Sequence, residues 1–373
     1  MANFDRRLPF GLLCAVAGGF ALSRFLNYHP RAVQPEECWN CPDATALPVA
    51  RPIKAITYNA QFFAGTNYHF FYDGGRDTLV DPDDVRKTVA AISAFLAEEN
   101  PDFVLFQEVD AGARRTGYLD QVELLLNSLP TDLRNCVATP YWKSRFVPHP
   151  KVMGSADTRL AIFSRYRLQR ATRYQLPRTP GNPIANDFNF KRAILEVEIP
   201  STNGETFVLL NTHLEAFPRG TDIMQRQVDY VLTRLNSLDQ RGIPWVIGGD
   251  FNLLPPGQAS HLNAEEQGCH RNPSEISSIY ERYHGVPRVS DASEKEMRSF
   301  MTFTKRSQAE RVPIRTLDYF FASSKVEIKG YAVRQGDMKR LSDHLPLVAE
   351  FIIAGWSYRS AGAHSQNYHS SWR

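Results

Sequence analysis

The amino-acid sequence predicts an α/β fold with mixed sheets, and three observations carry that prediction. Short apolar runs alternate with segments whose apolar residues recur every three or four positions, the marks of buried strands and amphipathic helices. Two of the runs, Arg192 to Ile199 and Thr206 to Leu210, flank Thr202-Asn203-Gly204 and read as a hairpin, which a purely parallel sheet does not contain. No internal repeat of short period is present, so the elements belong to layered sheets and helices rather than to a repeat array.

The chain has 373 residues, 43% hydrophobic and 22% charged, a globular balance with room for one large domain or two average ones. A net charge of +3 is too small to imply a polyanionic partner. The five cysteines, Cys14, Cys38, Cys41, Cys136 and Cys269, are odd in number and show no repeated spacing, so they are not a disulfide framework. Cys38-Trp-Asn-Cys41 is a single C-x-x-C without a second pair or nearby histidines. That disfavours zinc and leaves a local disulfide outside the cytosol, or no special role.

At the N-terminus, Arg6 and Arg7 precede an uncharged apolar run from Leu8 to Leu22, closed by Arg24. The run is shorter than the roughly 20 residues of a spanning helix and fits the upper end of a signal-peptide core. Ala15-Val16-Ala17 offers a cleavage pattern, but Phe20, Ala21 and Leu22 continue past it. Residues 1–27 are therefore expected to be a membrane anchor, a cleaved signal, or an apolar helix packed on the domain. The leading arginines favour an N-terminus inside and a catalytic domain outside the cytoplasm, membrane-associated or exported; Arg24 and Arg31 weaken that orientation. Residues 28–50 hold Pro30, Pro35, Pro42 and Pro48 with no periodicity and are expected to be a linker.

A domain is expected over residues 51–354. Ile53 to Asn59 reads as a strand. Asp81-Pro82 supplies a cap and a first-turn proline for a helix with Val85, Val89, Ile92 and Leu96 on one face, which Asn100-Pro101 stops. Asp102 to Glu108 is a buried strand ending in a carboxylate, and Leu119 to Leu129 a second helix. Residues 130–158 show no pattern and are expected to be irregular, whereas Arg159 to Phe163 reads as a strand. Asp222 to Gln240 is a helix with Met224, Val228, Val231, Leu235 and Leu238 in its stripe. Pro244 to Gly249, Leu317 to Phe321 and Leu347 to Ile353 are strands. Residues 255–300 are expected to be loop-rich, and residues 355–373 a polar tail.

In the stretch Trp245-Val-Ile-Gly-Gly-Asp-Phe-Asn252, two glycines are expected to let the strand end turn tightly. Asp250 and Asn252 lie two apart, which in an extended chain puts both on one side of the strand end. Other strand ends repeat the theme with Asn59, Glu108, His213, Asp318, Asp343 and His344. Singly, each has a plain structural reading as a turn former, a solvated end or a core histidine. Together they are acids without neighbouring lysines, whose repulsion a divalent cation relieves. Acid and amide oxygens suit a hard ion, Mg²⁺ or Mn²⁺, and histidines beside it are free for acid–base work or phosphate binding. That is the chemistry of metal-assisted phosphoester hydrolysis.

The ordered set Thr57-Tyr-Asn59, Gln107-Glu108, Asn211-Thr-His213-Leu, Gly249-Asp250-Phe-Asn252, Leu317-Asp318-Tyr-Phe and Ser342-Asp343-His344-Leu-Pro346 resembles the endonuclease/exonuclease/phosphatase superfamily, which includes DNase I and the neutral sphingomyelinases. The resemblance runs from about Ile53 to Ile353. It implies a four-layer α/β sandwich, two mixed β-sheets packed face to face with helices outside. It also implies Glu108 as principal metal ligand with Asn59 and Asp343, and Asp250 orienting or deprotonating the attacking water. By the same resemblance Asn252 holds a phosphate oxygen or that water, and His344 meets the scissile phosphate with its ring fixed by Asp318. His213 then stabilises the transition state or acts as acid.

His213 stands where abasic-site endonucleases place a tyrosine motif, and Gln61 where they have a second acid; both departures point to the DNase, sphingomyelinase and 5-phosphatase side. Gln61 to Tyr72 is aromatic-rich; either half of these aromatics are core, or the stretch, with Phe62 and Phe63, is a hydrophobic lip for a lipid or membrane surface, with Tyr141-Trp142-Lys143 and Phe146 as a second such loop. Arg159 is a further candidate for substrate binding. Arg298, Lys305, Arg306, Arg311 and Arg315 form a loose basic stretch suited to phosphate or headgroups. The expected activity is a Mg²⁺-dependent phosphodiesterase, with a phospholipid-type, sphingomyelinase-like substrate preferred over nucleic acid. An exported or anchored DNase I-like nuclease is the alternative, followed by an inositide phosphomonoesterase or a non-catalytic binding descendant. No protein partner is expected.

Overall fold

In the computed structural model, residues 7–216, 220–262, 271–293, 297–304 and 312–356 are described, with backbone alone for 7–16, 292 and 293. In chain order the strands are β1 (Val33–Glu36), β2 (Ile53–Asn59), β3 (Phe103–Asp110), β4 (Asn135–Val147), β5 (Gly154–Ser164), β6 (Arg170–Gln175), β7 (Ala193–Pro200), β8 (Thr206–His213), β9 (Trp245–Asp250), β10 (His284–Val286), β11 (Phe303–Thr304), β12 (Pro313–Arg315), β13 (Asp318–Ala322), β14 (Val326–Val333) and β15 (Leu347–Ile353). The principal helices are α1 (Arg7–Leu26), α2 (Pro82–Glu99), α3 (Gln121–Ser128), α4 (Pro183–Phe188) and α5 (Ile223–Gln240).

One sheet has six strands in the order β14-β15-β2-β3-β5-β4, and the other has seven in the order β1-β6-β7-β8-β9-β13-β10. Both are mixed: β2 runs parallel to β3 and β8 parallel to β9, while the remaining pairs in these two sheets are antiparallel. Alternation along the strands shows why four layers result. Phe207 and Leu209 of β8, Val246 of β9 and Phe320 of β13 pack toward the six-stranded sheet. Their neighbours Val208, Leu210, Trp245, Ile247, Tyr319 and Phe321 pack on the other face with Met224, Val228, Val231 and Leu235 of α5. A sheet covered on both faces needs near-continuous apolar strands, and these have them. On the outer side of the six-stranded sheet, α2 buries Val85, Val89, Ile92 and Leu96. Asp81 caps α2 by accepting from the Asp83 N–H at 2.8 Å, with Pro82 at the first position.

Three expectations change. Residues 130–158 contain β4, a 13-residue strand, and the start of β5. The β4 alternation is masked by Pro140 and by polar residues, and the register slips between Pro140 and Trp142, as an edge strand with a bulge permits. The proline-rich stretch 28–50 is laid along the sandwich rather than free. Its β1 extends the seven-stranded sheet, Trp39 bridges Cys136 on the other sheet, and Leu47 bridges Ser201. Prolines are compatible with such edge pairing because one side of the strand donates to nothing. Trp356 is buried at 6% exposure, so the domain core includes it, whereas the tail after it lies outside the described residues.

The N-terminal run is helical in α1, and its end is docked. Ser23 donates to Asp187 Oδ2 at 3.0 Å, and Asn27 bridges Ser144 of β4. Among the described residues no helix is long and apolar enough to cross a membrane. Cys38, Cys41 and Cys136 are free thiols.

Candidate active site

The polar strand ends converge where the two sheets open at one end. On the seven-stranded sheet the register aligns His213 with Asp250 and Asp250 with Asp318, so three adjacent strands present one row. Asp250 is the hub. Its Oδ2 accepts from Asn59 Nδ2 at 3.0 Å and lies 3.4 Å from His213 Nε2 and 3.6 Å from His344 Nε2. Its Oδ1 accepts from the Asn252 backbone N–H at 2.9 Å. That bond shows how the Asp250–Asn252 pair works: Asn252 has φ 52°, so the chain turns rather than extends, and both residues still face the same cavity.

The glycines before Asp250 also act differently from expectation. Both lie within β9. A side chain on Gly249, at φ 151°, would place its Cβ 2.0 Å from the Thr212 carbonyl oxygen, and one on Gly248 would meet Phe320 at 2.4 Å. They let neighbouring strand and sheet approach closely; they do not make a turn.

The two histidines are set to opposite charge states. Burial alone would lower the His344 pKa, but Asp318 and Asp250 outweigh it, with Nδ1 2.8 Å from Asp318 Oδ2, and raise it to about 10. His344 is a cation. His213 is pushed well below the usual histidine value by burial, and further by Arg192 and His344. It is neutral, with Tyr141 Oη 3.4 Å from Nδ1, which leaves the Nε2 proton directed at Asp250. Burial raises the Asp250 pKa to about 7, opposed by His344, which places it in the range of a general base.

On the six-stranded sheet, Glu108 sits at a bulge of β3, between Phe106 and Val109, at φ 59°. A left-handed glutamate costs about 1–3 kcal/mol, a strain typical of functional positions. Burial raises its pKa, and the Asp343 carboxylate raises it further, against Arg115, His344 and the Asn59 amide at 3.2 Å. A buried carboxyl whose pKa is raised by burial and by a second carboxylate lining the same cavity is what a hard cation relieves. Asn59 donates to both Glu108 and Asp250, while its oxygen accepts from the Gln61 N–H at 3.0 Å. Asp343 accepts from Gln61 Nε2 at 2.6 Å. Asp250, Asp318 and His344 form a second group able to bind a metal, with ligand atoms within 4.8 Å of one another. There, however, Asp318 is fully buried outside the cavity lining and its Oδ2 engages the imidazole, which leaves Oδ1, buried without a hydrogen-bond partner, as its atom open to an ion.

A cavity of about 630 Å³ opens over these groups. Its walls carry Phe70, Phe71, Tyr72, Tyr141, Trp142 and Phe190, together with Arg115, Arg192 and Arg315. Of the expected site residues, Asn59, Glu108, His213, Asp250, Asn252, Asp343 and His344 line it, and Asp318 supports His344 from behind. Phe62 and Phe63 do not form a lip. Both are wholly buried, and Arg115 stacks 3.7 Å over the Phe62 ring. The apolar step after Asn59 folds inward because residues 61–63 all take positive φ, which reverses the chain into the core. Later in the same stretch Tyr72 is exposed and Phe71 half-buried at the cavity, while Phe70 lines it as a buried core residue. Arg159 is absorbed by a bidentate pair with Asp157 and is not part of the cavity wall. Of the basic stretch, Arg315 lines the cavity, whereas Lys305, Arg306 and Arg311 lie outside the described residues.

Sequence reasoning missed Arg115 and Arg192, each within an unremarkable local context. It also read Thr57, Gln107 and Asn211 only as motif members. Gln107 Nε2 donates to Thr57 Oγ1 and Asn211 Oδ1, and Asn211 Nδ2 to the Phe106 and Ala161 carbonyls. This buried network ties one sheet to the other beneath the site.

Two packed mixed sheets with an acid-and-histidine site across their open end define a phosphoesterase-type sandwich. The model of the endonuclease/exonuclease/phosphatase family matches residues 56–344, and the chain belongs to that family. No curated protein matches the chain. Among solved structures it is similar to an endonuclease/exonuclease/phosphatase from Beutenbergia cavernae (19% identity over 82% of this chain and 72% of that one, TM-score 0.58). It is also similar to the human Nocturnin catalytic domain with bound sulfate (18%, 81% and 94%, TM-score 0.51) and to an endonuclease/exonuclease/phosphatase from Bacteroides vulgatus (15%, 82% and 100%, TM-score 0.51). At these identities the likeness establishes the shared fold.

Proposed function

We propose that the protein is a metal-dependent phosphodiesterase acting on a phospholipid-type substrate at a membrane surface, by in-line attack of an activated water. Glu108 and Asp343, with Asn59 beside them, would hold Mg²⁺ or Mn²⁺, which when bound neutralises charge on the phosphate. Asp250 takes the proton of the attacking water, held by Asn59 and by the Asn252 N–H. The His344 cation faces the charge that grows on the phosphate oxygens, and Asp318 keeps its ring aimed. Neutral His213, whose Nε2 proton faces Asp250, donates toward the same centre once Asp250 has taken up the water's proton. Asn252 lines the cavity and faces a phosphate oxygen or the water.

The observation that carries the lipid reading is the rim. The cavity wall shares Ser155 and Ala156 with a second hollow, which Phe25, Lys143 and Arg145 also line. Tyr72 lines the first and Phe25 the second, both exposed, with Lys151, Lys143 and Arg145 in the same walls. Exposed Phe146 and Met153 are the chain neighbours of the wall residues Arg145 and Val152, and exposed Phe20 and Leu22 precede Phe25 by about one turn of α1. Apolar residues interleaved with lysine and arginine suit an interface with acidic lipid. The second reading, a nuclease, is favoured by the aromatic walls, on which bases of a single strand would stack.

One panel separates them: the full chain with Mg²⁺, then with EDTA, on bis-p-nitrophenyl phosphate, sphingomyelin vesicles, phosphatidylinositol phosphate vesicles and plasmid DNA. Metal-dependent cleavage of the small diester and of a lipid is expected, and Glu108→Gln should lower it at least about 10²-fold while leaving the protein folded. DNA nicking without lipid cleavage, or full activity in Glu108→Gln, would overturn the proposal.

A further inference from the structure

We infer that Arg192, with Tyr141 and Phe190, forms a subsite for a second anionic group on the substrate, beyond the scissile phosphate. The inference rests on the phosphoesterase reading and names the headgroup chemistry it serves. Arg192 is 4% exposed and lines the cavity. Its Nε and Nη1 are buried without a hydrogen-bond partner. The partly buried Arg115 and Arg234 each grip a carboxylate with two bonds, Asp110 and Glu196. Arg173, the other buried arginine among the described residues, has no carboxylate either, but its Nε and Nη2 donate to the Pro140 and Lys191 carbonyls and to Gln175 Oε1, and it does not line the cavity. Arg192 instead rests on ring faces, its Cζ 4.5 Å from the Phe190 centroid and 5.1 Å from that of Tyr141. A buried guanidinium without an anion is costly to keep and is explained when a ligand supplies the anion.

Its place specifies which anion. Tyr141 lies between Arg192 and the reacting centre, with its ring centroid 5.5 Å from that of His213. The Arg192 charge is felt at His213, whereas the cations acting on Glu108 are Arg115 and His344. The guanidinium therefore stands on the His213 side, about one ring away from the scissile phosphate. Lys191 cannot share the task, since its Nζ is turned to the Asp187 and Asn189 carbonyls. The same stacking disfavours a quaternary ammonium headgroup. Arg192 covers Phe190 and Tyr141, and Arg115 covers Phe62 and lies 5.9 Å from the Trp142 centroid, so cations already occupy the ring faces a choline cage would use. The ligand chemistry is a phosphoester carrying a further phosphate or carboxylate, from a lipid headgroup or a soluble ester.

The test compares matched substrates that differ in one phosphate. Phosphatidylinositol and phosphatidylinositol 4-phosphate in phosphatidylcholine vesicles form the lipid arm, and their deacylated glycerophosphoinositols the soluble arm. Wild-type protein is expected to favour the member with the extra phosphate about 10- to 100-fold in kcat/KM, mainly through KM. Arg192→Met, which keeps the stem on both rings, should abolish that preference, Arg192→Lys should retain part of it, and in both variants any loss on bis-p-nitrophenyl phosphate should be smaller than the loss on the member with the extra phosphate. Arg192→Met should also raise Tm, because it removes an unpaired buried charge. Calorimetry with inorganic pyrophosphate in EDTA provides a readout independent of turnover: wild type binds and Arg192→Met does not. If wild type cleaves no phosphoester, the catalytic proposal fails, and pyrophosphate binding alone decides the subsite. Equal kcat/KM for the paired substrates in wild type, an equal loss on bis-p-nitrophenyl phosphate in Arg192→Met, or undiminished pyrophosphate binding in that variant would overturn the inference.

Discussion

At the scale of single residues, environment sets what each titratable group does. His213 and His344 flank the same Asp250 oxygen, yet one is neutral and the other a cation. The difference is the second neighbour: Tyr141 hydroxyl for His213, Asp318 carboxylate for His344. The sequence places both histidines at strand ends but carries no sign of this split, because it depends on which side chains the sheets bring behind each ring. Lys191 shows the same dependence. It is buried, and desolvation, aided by Arg178, lowers its pKa from 10.5 to about 8 despite Asp187. The unfolded chain therefore binds a proton between about pH 8 and 10.5 that the folded chain does not, so stability from this group rises with pH across that window. The melting temperature of wild type measured against Lys191→Met from pH 7.5 to 10.5 should shift in favour of wild type as pH increases. A flat or opposite difference would show that Lys191 stays charged when folded.

At the scale of elements, the regular strands and helices were legible because their apolar patterns match their burial. Ile53–Asn59 and Leu347–Ile353 are strands over the very residues expected, and α2 and α5 bury the stripes read from spacing. What escaped was edge structure. β1 and β4 pair along one side or change register, so neither needs a clean period. Glycines show the limit from another side, since their role depends on surroundings that sequence does not contain. Gly204 turns the β7–β8 hairpin at φ 85° with open space around it, whereas Gly249 lies against the Thr212 carbonyl. Gly204→Ala should cost only the strain of a left-handed residue, about 1–2 kcal/mol. Gly249→Ala adds a backbone collision and should cost about 3 kcal/mol or more. Urea unfolding of the two variants measures this, and a Gly204 variant as unstable as the Gly249 one would refute the packing explanation.

At the scale of the whole molecule, the end of α1 is joined to the wall of the cavity. Ser23 donates to Asp187 in α4, and Arg24 lies 3.8 Å from the same carboxylate. Two residues after α4 comes Phe190 and then Arg192, both in the cavity wall. On the other side, Arg145 at the end of β4 stacks 4.7 Å over Phe25. The apolar N-terminal segment thus leaves the domain beside the mouth, with Leu22 57% and Phe25 65% exposed. If this face meets lipid, burying those two side chains contributes about 1.5–3 kcal/mol each, enough to change membrane partition by a factor of ten or more per residue. Leu22→Ser combined with Phe25→Ser should therefore reduce sedimentation with acidic vesicles, and the hydrolysis of lipid in them, at least about tenfold, with hydrolysis of soluble bis-p-nitrophenyl phosphate retained. Equal loss on both substrates would mean that α1 only supports the cavity wall. Unchanged vesicle binding would mean that the exposed apolar face serves something other than a membrane.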